Sequence, residues 1–220
     1  MKIRDVLGIS PRRQRQVAWL MQVVMVGLVF IGLDRGNTGI VVNAGIALAV
    51  AQLPPLLERD YGIPMDPAVT LWLTSAAFLH ALGTVGLPGN STSFYRSIGW
   101  WDHLTHALSS SVVAGAGYAT TRALDRHSSA IELPPKFMFV FLLLFVMAFG
   151  VLWEVIEFGV GGLSSMVGGG SVLTQYGLED TMLDLVFDAI GAVVVAIWGT
   201  AYLTDIVGVL AAKFDERRPR

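Results

Sequence analysis

Long apolar runs, separated by short polar segments, dominate the hydrophobic pattern of this chain. Spanning the hydrocarbon core of a bilayer takes about 20 apolar residues, with a range of roughly 17 to 25. Runs of about this length occupy residues 17–33, 38–57, 67–87, 102–122, 136–159 and 180–206. The pattern therefore predicts an all-α fold, a polytopic membrane helix bundle of about six transmembrane helices, which forms one integral membrane domain over residues 1–220.

Two interruptions of this pattern carry structural information. Pro54 and Pro55 fall near the end of the second run, and they should end or kink that helix because proline lacks a backbone donor. Residues 159–177 are glycine-rich and uncharged, which predicts an extracytoplasmic or re-entrant loop. The apolar run after Gln16 has no clear small-residue cleavage site, so it is interpreted as a retained helix.

The composition agrees with a membrane protein and narrows its partners. Hydrophobic residues make up 54% of the chain and charged residues 15%, whereas an ordinary soluble domain is about 25% charged. A net charge of −2 gives no basic surface for nucleic acid, so membrane lipids are the expected partners. The absence of cysteine excludes a disulfide framework and a thiolate metal site. The sequence leaves protein partners and the oligomeric state open, a homo-oligomer included.

The basic residues predict the orientation of the bundle. If both termini are cytoplasmic, all of the 15 Lys and Arg residues except Arg35 and Arg96 fall in inside segments. These inside residues are Lys2, Arg4, Arg12, Arg13, Arg15, Arg59, Arg122, Arg126, Lys136, Lys213, Arg217, Arg218 and Arg220. Since cytoplasmic loops carry an excess of Lys and Arg, we expect a multi-pass protein of the cytoplasmic membrane with both ends inside.

Polar residues gather at the predicted outer ends of the last four helices. They are His80, then Asp102, His103 and His106, then Glu154 and Glu157, and finally Asp180, Asp184 and Asp188. Spacings of three and four residues place side chains on neighbouring parts of one helix face. The three aspartates of the last helix form a stripe about 12 Å long. These residues therefore predict a pocket that faces the extracytoplasmic side.

The charge of this pocket predicts a bound cation. Its carboxylates have no lysine or arginine on the same helix stretches, and an acid at the centre of a membrane helix costs about 2.5–3.5 kcal/mol. Protons or cations must neutralise the site. Histidine beside carboxylate favours a divalent metal such as Zn, Mn or Fe, and carboxylate with water alone suits Mg. All of the polar residues named above are candidate ligands.

A metal site of this kind suggests a hydrolase that acts on lipids or their headgroups. His80 and His106 would be ligands, and Glu154 and Asp184 would be the anionic ligands. Asp102 would orient a histidine through a hydrogen bond. The general base that activates metal-bound water would be Glu157 or Asp184.

Several of these residues also have ordinary structural interpretations. Asp102 and Asp180 stand where aspartate often caps a helix N-terminus. His103 follows two tryptophans that are typical of an aromatic belt at the lipid headgroups. His80 lies alone in an apolar run and is compatible with a core histidine whose ring nitrogens are hydrogen-bonded.

The motifs that carry these residues resemble a known family. "FLHALG", "WWDHLTHALSS", "WEVIEF" and "GLEDTMLDLVFDAIGA", in this order, resemble the YjdF-like family of small multi-spanning membrane proteins. The resemblance covers roughly residues 70–195 and rests on His80, Asp102, His106, Glu154, Glu157, Asp180 and Asp184. Glu179 stands where the family usually has a tryptophan. The layout is also distantly similar to VanZ-like proteins, and the resemblance supports the grouping of the residues without implying a particular reaction.

Two other functions remain open at this point. Intramembrane Asp, Glu and His residues also build proton relays, which would suit a proton- or cation-coupled transporter or channel. Neither an internal repeat nor a polar continuation after Asp188 supports this alternative. The third function is that of a non-catalytic accessory membrane subunit with a stabilising cation.

Overall fold

A computed structural model describes residues 9–87, 89, 92–166, 172–173 and 177–216. Within these ranges the regular structure is helical and contains no strand. The helices are α1 (Pro11–Asp34), α2 (Thr38–Ala51), α3 (Leu53–Tyr61), α4 (Pro67–Gly83), α5 (Phe94–Ser97), α6 (Trp101–His127), α7 (Pro135–Met166) and α8 (Leu178–Glu216). The prediction of an all-α bundle is confirmed.

One helix boundary agrees with the prediction from the sequence, and another lies beyond the predicted helix end. The predicted break before Pro54 is confirmed, because α2 ends at Ala51 and α3 begins at Leu53. By contrast, α7 continues to Met166, about two turns into the segment predicted as a loop. Each glycine costs a helix only about 1 kcal/mol, so the glycines of this stretch do not stop α7. The rest of that predicted loop, apart from residues 172–173 and 177, lies outside the described residues.

The helices differ in whether they are long and apolar enough to span a membrane. In the described part of the chain, four helical stretches are long and apolar enough to cross a bilayer: Pro11–Asp34, Thr38–Tyr61 (α2 together with α3), Pro135–Ser164 and Leu178–Gly199. The helix α4 is apolar but shorter. The helix α6 is long yet more polar, and it packs against α4, α7 and α8. Polar side chains of α6 such as Thr105, Ser110 and Ser111 are buried against protein, which removes the cost of exposing them to hydrocarbon.

The helices form two groups, each with its own core. One core joins α1, α2 and α4 around buried residues such as Met25 and Ala44. The other joins α6, α7 and α8 around buried residues such as Leu142 and Val195. Contacts between α4 and α6 connect the two groups. At one end of the bundle, called here the site end, α4 and α7 end while α6 and α8 begin.

The site end coincides with the predicted outer ends of the helices. The side of the membrane that it faces stays a prediction. Of the basic residues behind that prediction, Lys2, Arg4, Arg217, Arg218 and Arg220 lie outside the described residues.

Glycine lets α6 and α8 approach closely just below the site end. A Cβ atom on Gly191 would lie 2.8 Å from the backbone nitrogen of Ser111 and would also meet Ser110 and Ala107. Only a residue without a side chain fits this contact between the two helix backbones. The close approach holds the first turns of α6 and α8 in a fixed register.

Substituting Gly191 should therefore destabilise the bundle. We expect Gly191→Ala to lower the free energy of unfolding by about 1–3 kcal/mol, because the added methyl group forces the helices apart. Gly208→Ala is the matched control, since a Cβ there meets nothing within 4 Å and alanine favours a helix. Thermal unfolding in detergent measures both. Equal melting temperatures for the two variants would contradict the prediction.

Candidate metal centre

His106 lies at the centre of a cluster formed by α6 and α8. Its Nε2 atom is 3.7 Å from Asp102 Oδ1 and 3.8 Å from Asp184 Oδ2. Its Nδ1 atom lies 3.3 Å from Asp188 Oδ1. Each nitrogen of the ring thus faces carboxylate oxygen, and the two nitrogens face different aspartates.

Matching periodicity on two helices produces this arrangement. Asp102 and His106 are four residues apart on α6, and Asp184 and Asp188 are four residues apart on α8. Residues at this spacing lie on one helix face. Because both helices begin at the site end and pack along their length, the two pairs meet at similar depth.

The distances from His106 Nε2 to the two carboxylate oxygens are typical of ligands that share one metal ion and are too long for hydrogen bonds. A separation of 3.7 or 3.8 Å exceeds the 2.7–3.2 Å of an ordinary N–H···O bond. Two ligands bound at roughly 2.1 Å in a tetrahedral site lie about 3.4 Å apart. One atom from each of Asp102, His106 and Asp184 lies within 4.8 Å of the other two. Small side-chain shifts would therefore bring all three onto one ion.

Burial of Asp184 adds an independent indication of a cation. The residue is only 2% exposed, and its Oδ1 atom has no hydrogen-bond partner among the described residues. Burying a charged group is costly unless it is paired or coordinates a metal. His106 alone does not satisfy this carboxylate, and a metal ion would.

Asp188 contacts the opposite side of the His106 ring. With a metal ion on the other ring nitrogen, this contact would match the carboxylate–histidine–metal arrangement that fixes the tautomer and the orientation of a ligating imidazole. The sequence assigned this orienting role to Asp102. The structure instead places Asp102 beside the nitrogen that would bind the metal, and Asp188, which is 5% exposed, beside the other nitrogen.

A cavity of about 690 Å³ opens beside the cluster, between the two groups of helices. Asp102, His106 and Glu157 belong to its lining. The remaining wall comes from the α1–α2 turn, the first turns of α2, the end of α4, the region of α5 and residues 172–173. A ligand that enters this cavity therefore reaches His106 and Glu157 together.

His80 lies in the cavity wall and belongs to a separate hydrogen-bonded network. Its Nε2 atom is 3.0 Å from Asn43 Oδ1, and its Nδ1 atom is 2.9 Å from the Tyr95 hydroxyl. That hydroxyl also lies 3.5 Å from Thr105 Oγ1. Both ring nitrogens are thus engaged, and His80 ties α2, α4 and α6 together around the cavity.

The other predicted residues lie around the cluster without joining it. Thr181 Oγ1 donates a 2.8 Å hydrogen bond to Glu154 Oε2, which links α8 to α7. Asp180 lies in the first turn of α8 and lines a smaller neighbouring pocket with Asp102 and His103. The His103 ring stacks on Phe187, with 4.5 Å between ring centroids.

Sequence reasoning missed the partners of His80. Asn43 interrupts an otherwise apolar helix, and an isolated polar residue within a membrane helix is a signal of function or of helix contact. That signal was available in the sequence. Tyr95 gave no such signal, because it lies on a short segment outside every apolar run.

Comparison with known proteins identifies the family. The family described as "Predicted membrane protein (DUF2238)" matches residues 16–205. A protein of Thermotoga maritima, described as "Uncharacterized protein", is 34% identical over 143 residues, which are 65% of this chain and 67% of that protein. No solved structure matches the chain. The expected membership of a family of small membrane proteins is confirmed, and the chain belongs to the DUF2238 family of predicted membrane proteins.

Proposed function

We propose that this protein binds a divalent metal ion through Asp102, His106 and Asp184 and uses it to hydrolyse a lipid or a lipid headgroup. The observation that carries the proposal is the convergence of three donor atoms within 4.8 Å of one another, one of them on a buried carboxylate. We further propose that the site faces the extracytoplasmic side of the cytoplasmic membrane, in agreement with the distribution of Lys and Arg.

The donor set favours a borderline metal with an open position. One imidazole and two carboxylates suit Zn, Mn or Fe better than Mg, which prefers oxygen alone. Three protein ligands leave room for a water molecule, as in catalytic zinc sites. Such an ion turns water into a nucleophile at neutral pH. The cavity beside His106 gives a substrate access to that position.

Glu157 is the best placed general base. It lines the cavity with His106, whereas Asp184 is almost fully buried and is better suited to hold the ion. In the proposed reaction Glu157 takes a proton from water, and the water oxygen forms a bond to the electrophilic atom of an ester. The bond from that atom to the alcohol oxygen breaks, and Glu157 returns the proton to the leaving alcohol.

Packing beneath the cluster supports a site over a conduction path. Below Asp188 the contact at Gly191 closes the space between α6 and α8. Further along, Leu142, Val146 and Val195 form a dry core. The buried polar groups just below this level include the hydroxyls of Ser110 and Ser111, and α8 carries no Asp, Glu or His between Asp188 and Asp205. The transporter hypothesis therefore has less support than the metal site.

Elemental analysis of the purified protein tests the proposal. We expect about one divalent ion per chain in the wild type, and an unchanged content in His103→Ala, because the His103 ring stacks on Phe187 and is not one of the three groups whose donor atoms converge. An ion-free wild type, purified without chelator and then offered Zn and Mn, would refute the proposal. Bound metal with no turnover of any lipid would favour the accessory-subunit alternative.

The variant Glu157→Gln tests whether Glu157 is the general base and not a metal ligand. We expect this variant to keep its metal and to lose roughly 10²–10⁴-fold in kcat, the usual contribution of a general base. Release of soluble headgroups from a lipid panel in nanodiscs measures turnover. Glu132→Gln, on the segment between α6 and α7, is the matched control. Full activity in Glu157→Gln would exclude Glu157 as the base.

A further inference from the structure

Two arginines line the cavity that holds the metal cluster. Arg35 follows the last turn of α1, and Arg96 belongs to α5. Both line the same space as Asp102 and His106. They reach it from separate segments of the chain and border the same space.

The position of these two arginines differs from that of the other basic residues. Among the described residues, the other Lys and Arg residues lie on helix ends and connections at the opposite end of the bundle. The two arginines at the site end both line this one cavity. A general need for surface charge would not concentrate them there.

Other residues of the cavity lining also favour a negatively charged group. Asn37, Thr38, Gly39 and Ser93 line the cavity beside the arginines. The first residues of α2 point backbone N–H groups toward the start of the helix, where negative charge is favoured. Arginine binds phosphate through two parallel hydrogen bonds, which makes it the usual residue for recognising that group.

The same cavity also carries negative charge, from Asp102 and Glu157. An anion near His106 would be repelled by Asp102 and Glu157 unless a cation lies between them. A metal ion at the cluster removes this repulsion and adds a second attachment point. Arg96 also lines the smaller pocket with Asp102 and Asp180, so an anion in this region can contact an arginine and a metal ion together.

We propose that the substrate is a phosphate ester whose phosphate group is held by Arg35 and Arg96 and by the metal ion. This inference rests on the proposed function and names the class of its substrate. The cavity volume of about 690 Å³ falls within the roughly 300–1,000 Å³ of typical ligand pockets and suits a phosphorylated headgroup. In the reaction, water oxygen bonds to phosphorus, the bond from phosphorus to the alcohol oxygen breaks, and the alcohol leaves with the proton from Glu157.

Phosphate binding with and without metal tests this inference. The probes are inorganic phosphate, titrated into protein in detergent, and phosphatidic acid in nanodiscs, with phosphatidylcholine nanodiscs as the reference. In the wild type we expect metal-dependent binding of at least one of the two probes. Binding of phosphatidic acid alone identifies a lipid source, and binding of inorganic phosphate identifies a soluble one.

The double variant Arg35→Gln with Arg96→Gln isolates the arginines. We expect phosphate or phosphatidic acid affinity to fall by roughly tenfold or more, with the metal content unchanged. Arg126→Gln, at the opposite end of α6, is the matched control and should bind like the wild type. Each single variant should give an intermediate loss, which keeps the test informative if the double variant folds poorly.

The outcomes separate this inference from the proposed function. A wild type that holds no metal overturns both. A metal-loaded wild type that binds neither probe overturns the phosphate inference and leaves the metal site intact. Equal affinity in the double variant and the wild type overturns the role of the arginines. Undiminished binding after chelation overturns the bridging role of the metal.

Discussion

His106→Ala should abolish metal binding, with less than a tenth of the wild-type metal content retained. The substitution removes the only imidazole among the proposed ligands and leaves two carboxylates without the group between them. Two carboxylates alone hold Zn, Mn or Fe far more weakly than a mixed set that includes imidazole. Elemental analysis after gel filtration measures the loss.

Asp188→Asn should weaken the same site without destroying it. Groups that orient a ligating histidine typically contribute 10–100-fold to metal affinity, and Asp188 contacts His106 Nδ1 at 3.3 Å. Competition with a chromogenic chelator measures this change. His80→Gln is the control, because His80 is engaged by Asn43 and Tyr95 and should leave metal affinity within about twofold. Loss of metal from His80→Gln but not from His106→Ala would show that the site lies elsewhere.

Chelation should lower the melting temperature of the wild type by about 8–16 °C. Free metal at a thousandfold above its Kd stabilises a folded protein by about 4 kcal/mol. For a chain of 220 residues each kcal/mol corresponds to roughly 2–4 °C. Removing the ion also leaves Asp184 buried beside other carboxylates, which adds to the loss. Thermal unfolding in detergent, with and without chelator, measures the shift.

Asp184→Asn is the decisive comparison for the thermal experiment. This variant has no charge at the buried position, so it should bind little metal and show almost no response to chelator. Its melting temperature should exceed that of the chelated wild type, because the amide avoids burying a negative charge. An equal chelator response in the variant and the wild type would mean that the ion stabilises the protein through another site.

The grouping of the candidate residues was predictable because helical periodicity is local. The spacing of four residues between Asp102 and His106 determines their common face whatever the rest of the chain does. The same holds for Asp184 and Asp188. The apolar runs set the length of each helix, and their alternating direction set which helix ends could meet. A cluster of histidine and carboxylate at one end of the bundle follows from these local features.

The individual roles were not predictable, because they depend on how each helix is rotated against its neighbours. His80 and His106 look equivalent in the sequence, yet Asn43 and Tyr95 engage the first and aspartates surround the second. His103 is three residues from His106 and therefore points in a different direction around α6. This difference is enough to stack the His103 ring on Phe187.

The sequence by itself determined the helical class, the membrane character and the end of the bundle where polar residues collect. These properties depend on hydrophobic patterning and chain direction, which are one-dimensional. Only the tertiary structure decided that Asp102 and Asp184 share one nitrogen of His106 and that Asp188 takes the other. It also decided that Arg35 and Arg96 line a common cavity. Distances of 3–4 Å between separate helices depend on close contacts such as that at Gly191, and no pattern within one helix encodes them.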